Sequence, residues 1–306
     1  MRHSKLPNFM LVGAPKCGTT SLASHLAQHP QIYLAPIKEP KFFTAQFVPF
    51  PLRGPGDVFV ENFTVKRLTE YQRLFDRVRD EKAIGEASVD YLYFHHGVIP
   101  LIKKMLGDIQ IIIVLRNPVE VAFSAYKNLL RDARESLSFE EGLAQEANRR
   151  RKGYEYLWRY RDLGYFHAQV KAYLKGFSRV LVLILEHFEK GSPEPLHQIF
   201  EFLKVDPSFK PGLRTRFNAS GVPRFKWAQR PFNPTAFKGK AYKFLALRGV
   251  DIDKWMGWVE SLRGLNIKPV QMKPETRRRL LKTYRPDVKK LERLLKTDLG
   301  CWQLPA

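Results

Sequence analysis

In the stretch "GAPKCGTT", residues 13–20, Gly13 and Gly18 keep the glycine spacing of a phosphate-binding loop and Thr19 follows Gly18. A Walker-type loop carries its lysine directly after the second glycine. Here the lysine falls inside the loop, at Lys16. A helix beginning after Gly18 would aim its first N–H groups at an anionic oxygen, and an ammonium set back in the loop is suited to a different atom of the same ligand. A second charged position is Arg116, at the end of the apolar run "IQIIIVLR" (109–116). Nucleoside triphosphatases end the matching strand in an acid that serves magnesium. An arginine in that place binds an anion directly, through two parallel hydrogen bonds, with no metal. Ser124, two helical turns further on, is spaced to add a hydroxyl to the same anion. Each feature has a plainer reading by itself: a glycine-rich turn without a ligand, a surface ion-pair arginine, a helix-face serine. Found together at successive strand ends, they point to a site for a phosphorylated ligand.

The elements that must position these residues follow from periodicity. Residues 8–13 read as a short buried strand, 13–18 as the loop, and Thr19 to about Gln28 as a helix stopped before Pro30. "QIYLA" is a second short strand and 44–60 a loop. "TVKRLTEYQRLFDRV" has helical spacing of Leu68, Tyr71, Leu74, Phe75 and Val78. "KAIGEAS" is a strand and its end. "IQIIIVLR" is β-branched and apolar on both faces, which predicts a central strand of a parallel sheet. Asn117 and Pro118 suit the cap and first turn of the next helix. Ser138 and Glu141 have capping-box spacing and open a helix through "SLSFEEGLAQEANRRR". "GYFHAQVKAYLKGF" reads as a helix, "RVLVLILEHF" as a second fully buried strand, and "PLHQIFEFLKV" as a helix. Residues 206–235 read as a long loop, and "PETRRRLLKTYRPDVKKLERLL" as a closing helix interrupted near Pro286. Strands alternating with helices predict an α/β fold: a doubly wound domain with a central parallel sheet and a P-loop-like phosphate-binding loop. No linker looks long enough to divide the chain, so residues 1–306 are expected to form one domain, with a late loop at about 212–230 and a C-terminal helix at about 275–296.

Composition bounds the partners. Apolar residues make up 44% of the 306, enough for a sizeable core. Lys plus Arg number 52 against 30 Asp plus Glu, a net charge of +22, which favours an anionic partner without choosing among nucleotide, polyanion, anionic lipid and nucleic acid. The two cysteines, Cys17 and Cys301, have no zinc-site spacing. Reduced thiols in a cytoplasmic setting are expected, with a disulfide between them left open. The N-terminus has no signal-peptide form, and no run approaches the roughly 20 apolar residues of a membrane span. A soluble protein is therefore expected.

"PKCGTTSL" (15–22) and "RNPVEVAFSAY" (116–126) resemble motifs of the sulfotransferases that use 3′-phosphoadenosine 5′-phosphosulfate (PAPS), especially the branch of bacterial and heparan-sulfate-type enzymes. The first is similar to the loop that binds the 5′-phosphosulfate. The second is similar to the 3′-phosphate motif R-[DN]-P-x-x-R-x-x-S-x-Y, with Val121 where an arginine is frequent and with Arg116 and Ser124 intact. The likeness continues through "KEPKFF" (38–43), "GEASVDYLY" (85–93), the stretch that keeps Tyr165, Gln169 and Glu186, and the late "DLGCW". It thus spans most of the chain. It implies PAPS as sulfuryl donor, PAP as product, no metal, no covalent enzyme intermediate, and a hydroxyl-bearing acceptor such as a glycan, lipid or small metabolite. The basic surface leaves an anionic glycan open as that acceptor; no specific nucleic acid is expected.

The resemblance also implies roles. Lys16 would meet charge on the departing bridging oxygen, with Cys17, Gly18, Thr19, Thr20 and Ser21 around the 5′-phosphate. Arg116 and Ser124 would hold the 3′-phosphate. Ser220, Gly221 and Arg224, in "RFNASGVPRFKW" (216–227), would belong to the loop that closes over the donor. Glu39 matches the catalytic glutamate of the heparan-sulfate-type enzymes. An efficient base needs its pKa raised toward neutrality, and Lys38 and Lys41 push the other way unless they point to the substrate. The plainer reading is that Glu39 pairs with a lysine and fixes its loop. Glu86 is a rival base, or orients Lys16 or the acceptor, and Tyr165 is placed on the substrate side. His95 and His96 are further rivals, with helix capping as their plainer role. The Cys17 thiol reads as packing. The basic runs "RRRKGYEYLWRYRD" and "ETRRRLLK" read as helix packing with a solvated face, or as a surface for an anionic acceptor, nucleic acid or membrane. Two other functions stay open: a nucleotide kinase or triphosphatase, which predicts magnesium-dependent ATP turnover, and a non-catalytic polyanion or nucleic-acid binder, which predicts strongly salt-dependent binding.

Overall fold

The computed structural model describes residues 6–188, 192–212 and 270–302, with short pieces at 222–223, 241, 243–245, 248 and 267–268. Five parallel strands form the central sheet: β1 (Phe9–Gly13), β2 (Ile32–Leu34), β3 (Ala83–Ala87), β4 (Gln110–Leu115) and β5 (Val180–Ile184), in the order β2-β3-β1-β4-β5. β1 and β3 are buried along their whole length, and β4 along all but its first residue. That explains the continuous apolar runs of β1 and β4; β3 buries a carboxyl, Glu86, as well. Gly85 lets β3 lie against β1, since a Cβ there would come within 2.4 Å of the Phe9 ring.

Helices link the strands: α1 (Thr19–Leu26), α2 (Asp57–Phe63), α3 (Leu68–Arg73), α4 (Asp90–Tyr93), α5 (His95–Leu106), α6 (Pro118–Arg131), α7 (Phe139–Ala144), α8 (Glu146–Arg151), α9 (Phe166–Gly176) and α10 (Glu194–Leu203), with a C-terminal helix Pro274–Leu295. From β1 the chain runs to the edge strand β2 and returns to β3 beside β1, whereas from the adjacent β4 it runs the other way to β5, so the connections leaving β1 and β4 diverge. Open α/β sheets hold ligands outside the strand ends at such a point. Gly13 pairs with Ile113, and Ala14 N–H donates to the Val114 carbonyl at 2.7 Å. The loop after β1 and Arg116 after β4 are therefore neighbours by topology.

Several boundaries differ from the sequence reading. "RVLVLILEHF" forms β5, which is an edge strand, and its first three residues are only half-buried. Its apolar run is completed by packing against α10 rather than by a second strand neighbour. Residues 138–151 form two helices joined at Gln145, although the capping box of Ser138 and Glu141 is present. Residues 44–60 are not all loop: α2 begins at Asp57, whose carboxylate is used up by buried hydrogen bonds. The helical spacing at 64–78 yields only the short α3.

The C-terminal helix runs straight through Pro286. An interior proline forfeits one backbone hydrogen bond. Here tertiary contacts offset that loss: Leu280, Tyr284, Val288 and Leu291 are buried, Tyr284 O–H donates to the Arg161 carbonyl at 2.9 Å, and Asp287 accepts the N–H groups of Phe166 and His167 that open α9. Among the described residues no helix is long and apolar enough to cross a membrane.

Candidate active site

Gly18 adopts a left-handed backbone (φ 78°) and caps α1 without a side chain. The first-turn N–H groups of Thr19, Thr20 and Ser21 consequently face out of the helix end with no side-chain cap on them. Lys16 also has positive φ, 66°. This turn brings its side chain back across the loop, where Nζ donates to Asn128 Oδ1 at 2.7 Å. Burial of the ammonium, with the Arg131 charge beside it, lowers its pKa to about 8.

The opposite wall is α6. Asn117 caps it by accepting from Val119 N–H at 3.0 Å, and Pro118 sits in its first turn. Ser124, Asn128 and Asp132 follow at one-turn spacing and share a face. Val121, the departure from the family motif, is fully buried on another face and packs in the core. Arg116 is held by the turn before α6. Glu186 accepts both the Asn117 N–H and the Trp302 indole N–H at 2.8 Å, and Asn117 Nδ2 donates to the Trp302 carbonyl. The late "GCW" segment and Glu186 thus brace the strand end that carries Arg116.

One cleft of about 370 Å³ is lined by Lys16, Gly18, Thr19, Thr20, Ser21, Glu39, Arg116 and Ser124. Six separate expectations from the sequence therefore meet in one place: loop, lysine, helix end, glutamate, arginine and serine. Glu39 N–H donates to the Ala87 carbonyl at 2.8 Å, which docks the 38–41 loop on the end of β3. Glu39 and Lys41 both take positive φ, and the Glu39 carboxylate lies 2.8 Å from Lys38 Nζ and 3.6 Å from Lys41 Nζ. Burial works to raise its pKa, but Lys38 and Lys41 outweigh it and hold the carboxyl at about 2.

Other expected site residues lie elsewhere. Glu86 is fully buried and does not line the cleft. Its carboxylate accepts from Tyr71 at 2.8 Å, Ser88 at 2.8 Å and Tyr91 at 3.1 Å; Ser88 Oγ and Tyr91 Oη in turn accept the N–H groups of Lys41 and Phe43. Glu86 is thus tied through Ser88 and Tyr91 to the backbone of the loop that carries Glu39. Tyr165 is away from the cleft, packed edge-on to Tyr284. Cys17 is fully buried with its thiol on the Pro15 carbonyl, and burial drives its pKa far above the ordinary thiol value. The His95 and His96 rings meet at a tilt, 3.8 Å apart, at the start of α5, outside the cleft lining. Ser220, Gly221 and Arg224, with most of the late loop, lie outside the described residues.

Burial drives the Glu86 carboxyl up to about 7, against hydrogen bonds from Tyr71, Ser88 and Tyr91. Between its ordinary 4.5 and about 7 the folded protein holds a proton that the unfolded chain has lost. Stability should thus be greatest below the ordinary value and decline as pH rises through about 7. Melting temperature followed against pH should show that decline, and Glu86→Gln should flatten it. An equal slope in the variant would show that another group is responsible.

Residues the sequence reading did not single out complete the cleft. Arg134 pairs with Asp57 and, at 2.9 Å, with Glu155, and Glu155 pairs with Lys41 at 3.3 Å. This buried chain of charges fixes Lys41 beside Glu39. Arg149, in the run expected to be a solvated basic face, is buried and pairs with Glu135 at 2.7 Å. Asn128 and Asp132 could have been found from their spacing after Ser124; the Asp57–Arg134–Glu155 set has no such signal.

Comparison with known proteins gives the family. The pattern of the Sulfotransferase family matches residues 7–208. A crystal structure of a sulfotransferase from Alicyclobacillus acidocaldarius superposes with a TM-score of 0.77, at 37% identity, covering 97% of this chain and 99% of that one. Carbohydrate sulfotransferase 15 of Mus musculus is 24% identical over 267 residues, covering 72% of this chain and 48% of its own length. Membrane-associated sulfotransferase kil1 of Dictyostelium discoideum is 32% identical over 121 residues, 40% of this chain and 22% of its own. The chain spans about half or less of the length of these curated relatives. With a family match over residues 7–208 and a related solved structure along nearly its whole length, the chain belongs to the sulfotransferase family.

Proposed function

We propose that the protein transfers a sulfuryl group from PAPS to a hydroxyl of a carbohydrate or small-molecule acceptor, within a single domain. The observation that carries this reading is the shared cleft of Lys16, the uncapped α1 end, Glu39, Arg116 and Ser124. A doubly phosphorylated nucleotide fits this donor set. Uncapped N–H groups at one helix end suit a 5′-phosphate, and a guanidinium with a hydroxyl suits a 3′-phosphate. When bound, the donor supplies an activated sulfuryl group.

The chain's own residues would then do three things. The α1 end and Arg116 with Ser124 fix the two phosphates. Lys16, released from Asn128, neutralises charge on the bridging oxygen. Glu39 receives the acceptor proton. The acceptor oxygen bonds to sulfur, the sulfur–oxygen bond to the 5′-phosphate breaks, and the hydroxyl proton passes to the Glu39 carboxylate. No acid ends β4, which disfavours the magnesium-dependent kinase reading.

Incubation with PAPS and a panel of glycan and metabolite acceptors should give products heavier by one sulfuryl group in mass spectrometry, with release of PAP. Magnesium-dependent ATP turnover with no sulfated product would overturn the proposal.

A further inference from the structure

A second cleft, of about 300 Å³, opens beside the first. The two share Lys41, Val60, Glu155 and Tyr156, so the outer cleft ends where the reactive groups begin. One wall is aromatic. Phe47, 42% exposed at the mouth, meets Phe94 edge-on at 6.1 Å, and Phe94 meets Tyr156 at 5.6 Å. The Phe47 ring lies on Gly97, where a Cβ would come within 2.5 Å of it. The segment that follows Phe47 also lines the cleft, with Val48, Pro49, Phe50 and Leu52.

Most of the cleft surface is apolar, and the charged side chains that reach it are Lys41, Asp90, Arg150, Glu155 and Arg159. Thr44 and Asp90 lie in the wall, and neither Thr44 Oγ1 nor Asp90 Oδ1 completes a hydrogen bond. Lys41 is committed to Glu155 and Glu39, and Arg159 donates to Tyr93. A polyanion entering here would meet the carboxylates of Asp90 and Glu155 as well as the guanidinium groups of Arg150 and Arg159, so the lining has no uniform positive field for it. A sugar would strip water from several hydroxyls against Phe, Val, Pro and Leu side chains, with few hydrogen bonds in return.

Resting on the sulfotransferase reading, we propose that this outer cleft is the acceptor site, and that it takes an uncharged hydroxyl compound with a rigid apolar body, aromatic or alicyclic. The apolar body packs along the Phe47–Phe94–Tyr156 wall and the hydroxyl is presented to Glu39. The net positive charge of the chain does not select the acceptor within this cleft.

The test uses the full chain with saturating PAPS and three acceptors: a hydroxybiphenyl, N-acetylglucosamine and a glycosaminoglycan. Val48→Arg puts a charge in the cleft, Ala45→Phe fills it without charge, and calorimetry with bisphosphoadenosine reports whether each variant keeps its donor site. The hydroxybiphenyl should be used with a kcat/KM about tenfold or more above either sugar. Both variants should lower that value by about tenfold or more with bisphosphoadenosine affinity unchanged. Preference for either sugar, or unchanged hydroxybiphenyl kinetics in both variants, would overturn the assignment. If bisphosphoadenosine binds but the hydroxybiphenyl is not sulfated, the acceptor assignment alone falls. If bisphosphoadenosine does not bind and no acceptor is sulfated, the transferase reading falls and takes the assignment with it.

Discussion

Glu39→Gln should lower kcat by about a hundred- to ten-thousandfold, the range over which a positioned general base acts, while bisphosphoadenosine affinity stays near the parent value. Glutamine preserves the shape of the side chain and removes only its capacity to take a proton. The resting carboxylate is a weak base, because Lys38 and Lys41 outweigh the effect of burial and hold its pKa at about 2. It becomes effective only if these lysines turn toward the substrate oxygens. Lys41 has an alternative partner for that exchange, since Glu155 lies at 3.3 Å against 3.6 Å for Glu39. The sign of the pH dependence follows. Glu39 stays ionised in the free protein down to about pH 2, so it should produce no acid limb in kcat/KM across the mildly acidic range. Steady-state rates of Glu39→Gln decide the matter, and a kcat equal to the parent's would leave Glu39 as a loop-fixing ion pair.

Lys16→Met should lower kcat by roughly a hundred- to a thousandfold, equivalent to about 3–4 kcal/mol of barrier. The interaction is made where charge develops, so the loss belongs in kcat more than in donor affinity. Burial and the Arg131 charge place the Lys16 pKa at about 8. The useful form is the charged one, present below that value. The kcat/KM for the donor, which reports the free enzyme, should consequently fall as pH rises through about 8. Lys16→Arg keeps the charge and should carry that alkaline limb upward out of range. A limb that stays in place in Lys16→Arg would assign the titration to another group.

The sheet and the residues of the candidate cleft were largely legible in the sequence, because both depend on local signals. β1 and β4 are interior strands, and a strand buried on both faces reads as a near-continuous apolar run. The Asn117–Pro118 helix start and the Ser138–Glu141 capping box are short-range chemistry and appear as expected. β5 looked equally buried because an apolar run does not reveal whether a strand has one neighbour or two. The helix through Pro286 survives on contacts made by Tyr284 and Asp287 with residues far along the chain. Glu86 illustrates the same limit at the site. Its type and position suited a base, yet Tyr71, Ser88 and Tyr91 enclose it, and only tertiary structure brings Tyr71 there. Arg134 and Glu155 were hidden for the opposite reason, since a basic stretch gives no sign of which charges will be buried in pairs.

The central claim is that the ends of β1 and β4 hold opposite phosphates of one donor. Calorimetry of 3′,5′-bisphosphoadenosine against adenosine 5′-monophosphate, on the parent and on Arg116→Ala, tests it most directly. The parent should prefer the bisphosphate by roughly thirty- to a hundred-and-fiftyfold, the worth of about 2–3 kcal/mol for hydrogen bonds to a charged group. Arg116→Ala should abolish that preference and leave the monophosphate affinity unchanged. A preference that survives in Arg116→Ala, or an equal loss for both nucleotides, would contradict the account.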